Sequence, residues 1–144
     1  MKKYNYRDLY DEYADLNEEE RIAKLKEAIA SIDAFLLKNH DEAYCKRFLL
    51  RLFSAFIGKD LNVNKKELKM FNAIIGKNYD IIELASLVKD NVSEKQINDL
   101  MDEIKGFDEV NKDQIIVFGL LVVVEDGKVT YEENEFLEQL AKLI

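Results

Sequence analysis

The apolar positions of the chain recur in helical stripes. Ile22, Leu25, Ala28, Ile29, Ile32, Phe35 and Leu36 follow one another at spacings of three and four, which gathers them on one face of a helix. Phe48, Leu49, Leu52, Phe53, Phe56 and Ile57 form a broader face of the same kind. Ile97, Leu100, Met101 and Ile104 mark a narrow stripe on a helix that is otherwise polar. Stripes of this composition belong to the core of a folded protein. Residues 115–124, IIVFGLLVVV, have no polar side at all, and their β-branched side chains fit a buried strand as well as a helix buried all round. The Asp126-Gly127 pair that follows is a favoured hairpin turn. KVTYEENEF is a poor second strand, however, and no other segment offers partners for a sheet, so the pattern favours a central buried helix.

Helix boundaries can be read from capping residues, in which a short polar side chain accepts from a first-turn N–H and a Glu or Gln three residues on reaches back. Such pairs occur at Asn17 with Glu20, Asn39 with Glu42, Asn64 with Glu67, Asp80 with Glu83, Ser93 with Gln96, Asn111 with Gln114 and Thr130 with Glu133. They predict helices near residues 18–38, 40–58, 65–75, 81–89, 94–105, 112–125 and 131–143, with a short one near 5–15. Gly76 and Gly106 fall just past helix ends, where a positive φ is wanted. The expected fold is all-α: a compact single-domain bundle of about seven to eight helices.

Composition agrees with this scheme. The 144 residues contain no Pro, no Trp and only 5 Gly, so helix breakers are nearly absent. With 48% hydrophobic and 35% charged residues, the chain has the balance of a water-soluble globule with a real core. A net charge of −8 opposes binding to a phosphate backbone, and the basic pairs Lys2-Lys3 and Lys65-Lys66 are too short to override it. Nucleic acid is therefore not an expected partner. The ten-residue apolar run is half of the roughly 20 residues needed to cross a bilayer. The N-terminus has no apolar core of signal-peptide length, so a cytoplasmic location without membrane insertion is expected.

The chain also resembles itself. Asp60-Leu61-Asn62-Val63-Asn64-Lys65-Lys66-Glu67 aligns with Asp126-Gly127-Lys128-Val129-Thr130-Tyr131-Glu132-Glu133, with Asp, Val, a capping residue and Glu coinciding. Each copy follows a greasy helix and precedes an amphipathic one, which describes an internal repeat of helix, acidic bend and capped helix. The first copy has no hairpin signal, so the repeat favours a helix-to-helix bend at Asp126-Gly127 as well.

Two copies of an apolar helix, Asp-Gly-x-Val-Thr-x-x-Glu and an amphipathic helix resemble the TerB-like family, all-helical bacterial domains named for tellurite resistance. The resemblance runs from about Asp41 to Ile144 and is strongest from Glu125 to Glu133. Glu125 stands where the family usually has Ala, and Leu61 replaces the Gly of the motif. On this reading residues 41–144 form the family domain, and residues 1–40 an N-terminal helical extension packed on it. The resemblance implies a bundle of about seven helices with an internal pseudo-two-fold relation between the two bends, and, for function, stress response, association with membrane-linked complexes and divalent-cation binding through acidic residues.

The chemistry of the bends can be read in two ways. Asp60, Glu67, Asp126 and Glu133 could offer hard oxygens to Ca²⁺ or Mg²⁺ if packing brings the two bends together, or they could serve as caps at positive helix ends. An EF-hand is excluded, because counting from Asp126 the third position is Lys128 and the Gly comes second. No catalytic set is visible. Cys45 and His40 are both alone in their kind, and on one helix they would not face each other. The expected Cys45 is a buried inert thiol, and the expected His40 is exposed near a helix start. Tyr6, Leu9, Tyr10, Tyr13 and Leu16 form a stripe suited to packing on the domain or to docking on a protein partner or a second copy as a homodimer. The expected function is a non-enzymatic helical interaction module, with a metal-dependent hydrolase using the bend carboxylates as the alternative.

Overall fold

A computed structural model describes residues 11–57 and 65–126, apart from the side chains of residues 123, 125 and 126. Residues 11–14 are helical, and six longer helices follow. They are α1 (Glu18–Leu36), α2 (Glu42–Ile57), α3 (Lys65–Ile75), α4 (Ile81–Lys89), α5 (Glu94–Lys105) and α6 (Glu109–Asp126). No strand occurs among the described residues, so the fold is all-α. Residues 5–10 of the helix expected near 5–15, the helix expected at 131–143, and residues 60–64 and 127–133 of the two bends of the internal repeat lie outside the described residues.

Local chemistry sets most of the boundaries. Asn17, Asp80 and Ser93 each form a reciprocal capping box, as their sequence pairs predict. At Asp80, for example, the Glu83 N–H donates to Asp80 Oδ1 at 2.8 Å and the Asp80 N–H donates to Glu83 Oε1 at 3.2 Å. Two expected caps are displaced. Asn39 does not start α2, because its amide and that of His40 both donate back to the Leu36 carbonyl and so finish α1. Asp41 is the next candidate free to cap, and its Oδ1 accepts from the Tyr44 N–H at 2.8 Å. Asn111 does not start α6 either. Asp108 does, three residues earlier, with its carboxylate at the positive end of the helix and its Oδ1 accepting from the Asn111 N–H at 2.8 Å.

The glycines divide in the same way. Gly76 has φ of 74° and ends α3 in the left-handed conformation. Gly106 was expected to do likewise, but its φ is −82°. The amides of Gly106 and Phe107 continue the right-handed turn by donating to the Glu103 and Ile104 carbonyls at 3.0 Å each. This turn tucks Phe107 into the core against Phe35 and Phe48, with ring centroids 4.6 and 5.4 Å away.

Helix α6 is the centre of the described structure, packing most extensively on α1 and also on α2 and α3. Ile115, Ile116, Phe118, Leu120, Leu121 and Val122 are all essentially without solvent contact, which explains why this segment has no polar face. Each such side chain stabilises the fold by about 1.5–3 kcal/mol relative to exposure. α1 shares this core through Leu25, Ala28 and Ile32. α2 crosses α6 where the Phe56 ring lies directly over Gly119, and a Cβ at that position would overlap ring atoms Cζ and Cε1. No helix among the described residues is long and apolar enough to cross a membrane.

The contact makes Gly119→Ala informative. Helix propensity alone would make that change favourable by about 1 kcal/mol. Overlap with Phe56 is expected to outweigh it and lower stability by about 1–3 kcal/mol in denaturant unfolding. Phe56→Leu in the same chain should relieve part of the overlap, so the double variant loses less than the sum of the two single changes. A midpoint unchanged or raised by Gly119→Ala would contradict the packing.

Candidate functional site

Among the described residues, polar side chains join helices at several places, including a surface ion pair between Lys69 of α3 and Glu18 of α1 at 2.7 Å and the three contacts that follow. Between α2 and α5, the Tyr44 hydroxyl donates to Glu103 Oε2 at 2.7 Å, and an Arg51 guanidinium nitrogen lies 2.8 Å from Glu103 Oε1. Tyr44 and Arg51 lie nearly two turns apart on α2, so both reach the same carboxylate. Partial burial, together with the neighbouring Glu103, pushes the Tyr44 hydroxyl up to about 12. The Tyr44 ring stacks on the exposed His40, with centroids 3.7 Å apart and planes inclined by 11°. Tyr44 is thus a neutral donor across the ordinary pH range, and the cluster is a structural clamp.

Between α1 and α6, the Ser31 hydroxyl donates to Asn111 Oδ1 at 2.8 Å, and Asn111 Nδ2 donates to Asp108 Oδ1 at 2.9 Å. Asn111 is buried, so satisfying both ends of its amide removes a penalty that an unpaired group would impose. In the α3–α4 connection, Asn72 accepts from the Tyr79 N–H at 3.0 Å and donates to the Tyr79 carbonyl at 2.9 Å. That pair fixes the chain between Gly76 and the Asp80 cap.

Two carboxylates, Asp33 and Asp113, each bury an Oδ1 that has no hydrogen-bond partner. Asp33 lies in addition in the last turn of α1, at the negative end of the helix. Burial, and then repulsion from Glu42, raise its carboxyl above the usual aspartate range. The Cys45 thiol is buried, and burial together with Asp33 and Asp41 pushes it up, which makes it a poor nucleophile. This is the inert thiol expected from its apolar neighbours, and His40 is exposed, as expected.

Of the four bend carboxylates, Glu67 lies within the described structure. It occupies the first turn of α3 and is only 3% exposed, with a polar or electrostatic partner. Asp126 ends α6, but its side chain is outside the description, as are Asp60 and Glu133 entirely. Among the described residues, no three His, Cys, Asp or Glu side chains converge in a way that could hold a metal ion. Sequence reading did not single out Tyr44, Arg51 and Glu103. The pairs are 59 and 52 residues apart, and no local pattern announces such a long-range contact.

Asp33 yields a pH-dependent prediction. Its folded-state proton affinity exceeds the unfolded one, so folded stability falls as pH rises from the ordinary aspartate range through the raised value, and stays reduced above it. Asp33→Asn should therefore raise the melting temperature near neutral pH, with the gain disappearing in acid where the native carboxyl is protonated. A loss of stability at every pH would contradict the raised proton affinity. No family model, characterised protein or solved structure matches the chain.

Proposed function

We propose that the chain is a non-enzymatic helical interaction module of the TerB-like kind, acting in a stress-response or envelope-associated assembly and binding a divalent cation weakly at its acidic bends. One observation carries the interaction reading. Tyr44, Arg51, Glu103, Ser31, Asn111 and Asp108 are spent on joining helices, whereas Ile82 and Val110 stand 81% and 64% exposed at the starts of α4 and α6. An apolar side chain so placed gains free energy when a protein partner covers it. The family reading is supported by the repeated Asp, Val, cap and Glu order of residues 60–67 and 126–133. The cation reading is supported by Glu67, a carboxylate carried inside the protein seven positions after Asp60.

The interaction reading is tested by affinity capture from a native lysate of the source cells, with mass spectrometry of the retained proteins. Ile82→Asp and Val110→Asp alter solvent-facing positions and should change stability by no more than about 0.5 kcal/mol. The wild-type chain is expected to retain a defined set of proteins, or further copies of itself, that these variants lose. Equal retention by the variants, or no specific retention by the wild type, would overturn the reading.

The cation is tested separately by thermal unfolding in rising Ca²⁺ or Mg²⁺. The melting temperature should increase through preferential binding to the folded state, and Asp126→Asn combined with Glu133→Gln should abolish the increase. A flat response to both ions removes the cation from the proposal and leaves the interaction module standing.

A further inference from the structure

We draw no further inference here: the strongest candidate, the surface patch at the α1–α2 turn where Lys38 and Arg47 lie over the Phe35 and Tyr44 rings beside His40, carries nothing because Asp41, Glu42 and Glu103 offset its charge and nothing in the structure shows what covers it.

Discussion

The close approach of α2 to α6 at Gly119 is the constraint on which the surrounding packing depends. A phenyl ring can rest on a helix backbone only where no Cβ intervenes, and Gly119 provides that place for Phe56 in the middle of the most apolar segment of the chain. Phe118, the residue before it, stacks obliquely on the same ring with centroids 6.3 Å apart. With α2 seated this closely, the remaining sides of α6 are covered by α1 and α3. A helix without a polar side is stable in water only under such cover. A glycine inside a helix has a conformational cost, and here that cost is offset by the fit of an aromatic side chain into a densely packed interior.

Polar contacts then fix the register of helices that apolar packing alone would leave free to slide. The Ser31, Asn111 and Asp108 chain aligns α1 with the start of α6 and uses one carboxylate both as cap and as acceptor for a buried amide. The Tyr44, Arg51 and Glu103 cluster does the same for α2 and α5 at a partly solvated edge. An ion pair so placed adds little stability by itself, and its use is to specify which turn of one helix faces which turn of the other. Asp33 and Asp113 are exceptions, each with a buried carboxylate oxygen left without a partner, and Asp33 lies in addition at the unfavourable end of α1.

Much of this architecture is legible from residue order. The starts of α1, α4 and α5 follow from capping boxes because each box is complete within four residues and meets no competing demand. The starts of α2 and α6 are displaced because Asn39 and Asn111 have other uses, one in the end of the preceding helix and one in a tertiary hydrogen bond. Gly106 is misread for a related reason: the burial of Phe107 selects a right-handed turn that no local rule specifies. The apolar run at 115–124 is ambiguous between helix and strand until its neighbours are known, and the absence of sheet partners resolves it correctly. The bend carboxylates are a different case. Asp60 and Glu133 fall outside the described residues, and Glu67, which sequence pairs with a cap, is buried. Interhelical polar pairs have no local signature, since they depend on distances created by the fold.

The most direct measurement of the central packing is the proton nuclear magnetic resonance signal of Gly119. If the Phe56 ring covers this residue, its Hα protons will be displaced upfield by the ring current and will show strong nuclear Overhauser cross-peaks to the Phe56 ring protons. Hα shifts in the ordinary range for a helical glycine, with no cross-peaks to Phe56, would contradict the close approach of α2 to α6 and the architecture built around it.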